Sequence, residues 1–332
     1  MAFFLHPDAQ EISNFKDLLN LFGKASGLQN NVHKTQILPI ACEGLNVQYI
    51  PQDLPRALAD FPTSYLGLPL HTRELRKIDF APLIDKIGAR TLSWKGKFFS
   101  STGRETLVKY VLSSIPTYHL SAIPIPKWAI KKIDKIRRAF LWKGEEPENV
   151  KPGASLVNWP TVCRPKTMGG LGILDLHKFS TTLRVRWLWL RWVDNSKPWD
   201  QMELPCDESD IHLFQACTRI SIGNGHKSLF WEDNWLQGVC PKDVSPNLFK
   251  LAMRKSRTVN KELLLNSWLF SFRQITNIEQ IHELVQLGNM LQHIHLTSSM
   301  EDKIEWTQTS SGIYTAKSAY LAQFFGSEFN DN

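Results

Sequence analysis

Residues 126–142 read PKWAIKKIDKIRRAFLW, and this stretch decides the fold class. Proline lacks an amide hydrogen and has a fixed φ, so Pro126 suits the first position of a helix. At 100° per residue, Ala129, Ile130, Ile133, Ile136 and Phe140 fall on one side of that helix. Lys127, Lys131, Lys135 and Arg138 gather within about 80° on the other, with Trp128 and Trp142 on or beside them. Such a helix docks by its apolar side and turns cations and aromatic rings outward. Phosphate contact and base stacking need those two groups. The plainer alternative is a solvated lysine face.

The same periodicity extends outward from this helix. Thr102 and Glu105 form a capping box for a helix that Pro116 stops, and a helix over 79–92 precedes it. Residues 176–193 are apolar nearly all round, with Trp187, Trp189 and Trp192, which predicts a buried helix. Its Arg184, Arg186 and Arg191 read as surface-reaching arms or cation–π partners. Helices are also predicted from Asp8 to Gly27, with Ile12, Phe15, Leu18, Leu19 and Phe22 on one face, and over 277–287. Strand signals are short. Residues 1–5 read as a buried strand, 35–40 as a second, and 64–70 as strand and tight turn. Hairpins are predicted around Gly223-Asn224-Gly225, over 219–235, and around Ser310-Ser311-Gly312. The class is therefore α+β, mainly helical.

Charge sharpens the picture. The 332 residues carry a net +7, but residues 61–200 alone hold +13 and both ends are acidic. A basic block of this size points to a polyanionic partner. No apolar run reaches the ~20 residues that span a bilayer, so no membrane partner is expected. Five Cys without a C-x-x-C pair support neither a disulfide framework nor a zinc ribbon, and predict a reduced intracellular compartment, nucleus or cytoplasm. Gly169-Gly170-Leu171-Gly172 is not followed by Lys-Ser/Thr, so it is no phosphate loop. Glu232 and Asp233 are adjacent, and neighbouring strand residues point to opposite faces. His282, His293 and His295 lack carboxylate or Cys companions at ligand spacing, so no metal is expected. No small-molecule site is evident.

Several motifs, in order, resemble one family. They are Ser26-Gly27-Leu28 with Asn31 and Lys34-Thr35; Phe61 with Ser64-Tyr65-Leu66-Gly67 and Leu70; and Leu92-Ser93-Trp94-Lys95 with Phe98-Phe99-Ser100 and Gly103-Arg104. Ile115-Pro116 with Tyr118, Phe140-Leu141-Trp142, Trp159, Cys163, Pro165-Lys166 and the Gly169–172 cluster follow. Ile222-Gly223-Asn224-Gly225, Phe230-Trp231, Asp233, Trp235, Gly312 and Lys317-Ser318-Ala319-Tyr320 complete the series. Together they resemble the C-terminal part of the polyprotein of plant LINE-type (non-LTR) retrotransposons, over essentially the whole chain. The two Phe at 98–99 stand where that family more often has leucine.

The resemblance implies a fragment of an RNA-directed DNA polymerase. Residues 1–75 would be a palm remnant that follows the catalytic Asp-Asp turn, 76–150 a helical thumb, 151–300 a mixed helix and hairpin connector, and 301–332 the truncated start of the reverse-transcriptase zinc-binding domain. Lys34 would be a general acid toward pyrophosphate, and Tyr65, Leu66 and Gly67 a primer grip. Lys95, Lys97 and Arg104 would join Lys127, Lys131, Lys135 and Arg138 against an RNA/DNA template–primer. The Mg²⁺ of the full-length family needs carboxylates upstream of Met1, so no complete catalytic set, no cofactor and no polymerase activity are expected here. The alternatives are a transposon relic without a biochemical role, or a helical protein-interaction module built on the Trp-rich helix.

Overall fold

A computed structural model describes residues 3–28, 31, 35–42, 57–94, 96–145, 148–149, 155–194, 196–197, 199 and 202–325. The chain divides into two compact units, residues 1–86 and 87–332. The described residues are mainly helical and hold three two-stranded pairings, so the fold class is α+β.

In the first unit a helix spans Ala9–Ser26 and ends at Gly27, whose φ of 71° lets its amide donate back to the Gly23 carbonyl. Ile12 is its buried residue, while Leu18, Leu21 and Phe22 are exposed. The strand expected over 1–5 is not formed in the described part. Residues 3–5 carry no strand pairing and are exposed, Phe4 to 87%. A strand is held by ladder bonds to a neighbour, and none lies alongside these residues among those described. The 35–40 strand shortens to Gln36–Ile37, paired in parallel with Ala57–Leu58. Thr63–Tyr65 and Leu68–Leu70 form an antiparallel hairpin across Leu66 and Gly67, at φ 52° and 82°. Two positive φ values make the two-residue turn that matches strand twist.

The second unit is built around the 126–142 stretch. Lys127–Lys143 is one helix, with Pro126 as its extended N-cap rather than its first residue and Gly144 as its left-handed stop. The wheel is right about the core: Ala129, Ile130, Ile133, Ile136 and Phe140 are buried. The helix expected to start at Thr102 starts two residues earlier. Ser100 Oγ, not Thr102, accepts from the Gly103 amide, 3.1 Å, because Ser100 is the residue with extended backbone and Thr102 already lies inside the helix. That helix, Ser101–Leu107, widens into a π-turn over Val108–Leu112, and Ser113 returns its hydroxyl to the Val108 carbonyl.

Leu176–Val193 is the central helix, capped by Asp175. Trp189 is buried against Tyr314 and Trp306, at 6.2 and 6.3 Å between ring centroids. Arg184 is not a surface arm. It is buried and clamps Asp210 through Nε, 2.6 Å, and Nη2, 2.9 Å.

Both predicted hairpins of this unit are corrected. Thr218–Ser221 pairs with Lys303–Trp306, not with the chain after Gly225. The amides of Gly223, Gly225, Lys227 and Ser228 instead converge on the Asp302 carboxylate, which leaves the 223–228 turn no ladder to join. Likewise 313–315 is no strand; the turn before it closes on one backbone bond, the Trp306 amide donating to the Gly312 carbonyl. These pairings also place residues 302–324 inside the same unit. Trp306, Ala319 and Phe324 are buried, and Trp306 and Ala319 share a core with Val185 and Phe214.

Candidate nucleic-acid interface

Lys127, Lys131 and Lys135 are exposed on one side of the Lys127–Lys143 helix, and Arg138 is half-buried at the edge of the row. None of the four forms an ion pair among the described residues. Residues four apart rise about 6 Å along a helix, so the three lysines span about 12 Å. A duplex strand advances 3.4 Å per nucleotide, so this row faces about three to four phosphates. Lys132, exposed, extends the row and lies 5.7 Å from the centroid of the half-buried Trp128 ring. Its ammonium is thus held beside an aromatic face.

What fixes this helix is a residue the sequence reading left unassigned. Arg137 is fully buried. Nη1 bonds Asp134, while Nη2 donates to Ser113 Oγ and to the Leu174 carbonyl, all at 2.7 Å. The guanidinium also stands 5.2 Å from the Trp159 ring. Burial raises the Asp134 carboxyl pKa, and the Arg137 charge opposes that rise. Arg137 therefore ties the ridge helix to the π-turn and to the chain before Leu176–Val193. A signal for it existed: it lies inside the apolar arc, between Ile130 and Ile133 on the wheel.

The loop before the ridge is seated by two glycines. A Cβ on Gly96 would come within 2.6 Å of the Gly144 carbonyl, and one on Gly144 within 2.4 Å of Gly96. Only bare backbones cross this closely. Trp94 packs on Phe140 across the same contact, 5.5 Å between centroids. Lys97 projects there, exposed, and pairs with Glu145 at 3.2 Å. Arg104 is differently employed than expected. Its Nε donates to the Leu141 carbonyl, 2.9 Å, and Nη1 to the Phe99 carbonyl, 2.8 Å. It fastens the end of the ridge helix, because the Leu141 carbonyl in its last turn lacks an intrahelical partner. Lys34 and Lys95 lie outside the described residues. Tyr65, Leu66 and Gly67 form the exposed hairpin turn of the first unit.

The Trp-rich helix offers no open aromatic face. Trp189 is buried, Trp187 and Trp192 are half-buried, and Trp187 donates to the Ser121 carbonyl. Among the described residues no three His, Cys, Asp or Glu side chains gather as metal ligands, and no helix is long and apolar enough to cross a membrane.

No protein-family model matches the chain. A protein of Arabidopsis thaliana named "Putative ribonuclease H protein" is 25% identical to it over 278 residues, 76% of this chain. The chain spans 44% of that relative's length.

Proposed function

We propose that this chain is the C-terminal stretch of a non-LTR retrotransposon reverse transcriptase, and that it grips template–primer without itself transferring nucleotides. The observation that carries the reading is the row Lys127, Lys131 and Lys135, held outward by a helix whose other face is core. The ordered motifs supply the family. The Arabidopsis relative is named for an enzyme that acts on RNA, which agrees in substrate class. No Tyr-x-Asp-Asp occurs in the sequence, so the Mg²⁺-holding carboxylates of nucleotidyl transfer are not supplied by these residues.

The test is binding of an RNA–DNA duplex across a salt series. With about three phosphates neutralised, the slope of log K against log salt is expected near −2.7. Changing Lys127, Lys131 and Lys135 together to Glu is expected to abolish that slope and leave the thermal unfolding curve in place. A flat salt response in the wild-type chain overturns the reading and favours a relic without a role. Primer extension with Mg²⁺ by the purified chain overturns the inactive half of it.

A further inference from the structure

Residues 201–332 sum to −4, yet between 250 and 273 the sequence sets Lys250, Arg254, Lys255, Arg257, Lys261 and Arg273 against the single acid Glu262. Tertiary structure concentrates them further. The segments 251–253 and 271–273 run antiparallel: the Met253 amide donates to the Ser271 carbonyl, 2.9 Å, and the Arg273 amide to the Leu251 carbonyl, 3.0 Å. This pairing draws all but Lys261 of those cations around one recess of about 660 Å³, with Glu232 as the lining acid. Glu262 is fully buried, with Oε1 3.6 Å from Arg257, and so holds that guanidinium at the recess wall. Lys255 is steadied 4.4 Å from the Phe249 ring. Lys250, Arg254 and Arg273 form no ion pair among the described residues, and Arg254 and Arg273 are exposed.

The chain leading into Arg273 forms an apolar knuckle. Residues Leu264–Phe270 turn tightly around buried Trp268, and Leu265 and Asn266 sit in the left-handed region at φ 53°. For leucine that conformation is strained, while asparagine tolerates it. It leaves Leu265 89% and Phe270 81% exposed. Phe270 lies three residues before Arg273, the residue of the 271–273 segment that lines the recess.

The geometry points to a second nucleic-acid site, one for a single strand of RNA or DNA with phosphates in the recess and a base stacked on Phe270. A concave cationic recess suits a chain that can bend into it. A flexible single strand can follow its wall, whereas a duplex is stiff over about 150 base pairs. Aromatic stacking beside a cationic groove is how single strands are held without sequence preference. The site goes beyond the ridge reading and does not depend on it.

The test uses the full chain, labelled U20 RNA, T20 DNA and an RNA–DNA duplex, read by fluorescence anisotropy. Arg254→Glu with Arg273→Glu is expected to weaken both single strands at least about tenfold and to reduce the salt slope by about 1.4, two phosphates at ~0.7 each. Duplex binding should persist, because the ridge is untouched. Phe270→Ala, an exposed position that leaves the cations in place, is expected to weaken single strands about tenfold through lost stacking. Single-strand affinity unchanged in both variants overturns the site. So does a loss confined to phosphatidylserine vesicles, which would make the knuckle a membrane contact. Loss of duplex binding in the ridge variant alone bears on the proposed function and not on this site.

Discussion

Asp302 is expected to be the costliest single carboxylate in the second unit to remove. Its Oδ1 accepts from the amides of Gly223, 2.9 Å, and Gly225, 2.8 Å. Its Oδ2 accepts from the Lys227 and Ser228 amides, 3.0 and 3.1 Å, and from Ser228 Oγ, 3.1 Å. Lys227 is exposed, so water can replace that bond. Gly223, Gly225 and Ser228 are buried, so Asp302→Ala orphans three amides. An orphaned buried donor costs about 1–3 kcal/mol. A water entering the vacated space moderates this, and a total of about 3–5 kcal/mol is expected. Asp302→Asn keeps one oxygen for the glycines but turns an amide donor toward the Lys227 and Ser228 amides, so about 1–2 kcal/mol is expected. Burial pushes the Asp302 carboxyl up, but the four amides outweigh it and hold the pKa below the ordinary value. A depressed folded pKa means the stabilisation is full above the unfolded value near 3.9 and is lost as pH falls through the folded one. Urea unfolding followed by tryptophan fluorescence reads this, since Trp231 and Trp306 are fully buried. An Ala cost under about 1 kcal/mol, or equal costs for Ala and Asn, refutes the account.

Other expectations follow from the same structure. Arg184→Ala strands the buried Asp210 carboxylate and should cost about 3–5 kcal/mol, with the Arg184→Ala/Asp210→Ala double costing less than the two singles combined; strict additivity would argue against the pair. Asp233 moves the opposite way from Asp302: burial raises its pKa to about 6, against the Leu229 amide that lowers it. Its folded form holds the proton longer than the unfolded one, so stability falls as pH rises from about 4 to 6. Asp233→Asn should flatten that limb and stabilise the chain at pH 7, and an unchanged pH profile would count against it. Burial lifts the thiols of Cys163, Cys206 and Cys240 to about 12 and Cys217 to about 11. Because the thiolate is the reactive form, Ellman's reagent at pH 8 should label the native chain at Cys42 well before these four, and prompt labelling of all five would contradict the raised thiols.

Local signals in the sequence were sufficient for the longer helices, though not for Glu208–Ala216 or the short helix Thr117–Ala122. Apolar spacing placed the core face of Lys127–Lys143 and the Ile278–Leu291 helix, which Asn277 caps in a box with Gln280. Both follow from side-chain period and a cap within a few residues, which any chain carries on its face. The cationic row was legible for the same reason. Its attachment was less so, since Arg137 reads as one more basic residue until Ser113 and Leu174 are seen to receive it. The recess at 250–273 was missed because its cations come from two segments that only a backbone pairing brings together.

The 332 residues by themselves determined the helical class, the basic middle and the outward lysine row, because charge and 3.6-residue periodicity are local properties. Tertiary structure alone decided what Gly223-Asn224-Gly225 does. In sequence it is a hairpin turn; in the fold its amides surround a carboxylate more than seventy residues away, and Thr218–Ser221 finds its partner strand beside that same Asp302. A turn's local geometry fixes where its amides point, not which acceptor reaches them. A buried carboxylate offering two oxygens satisfies more of those donors than a hairpin ladder could.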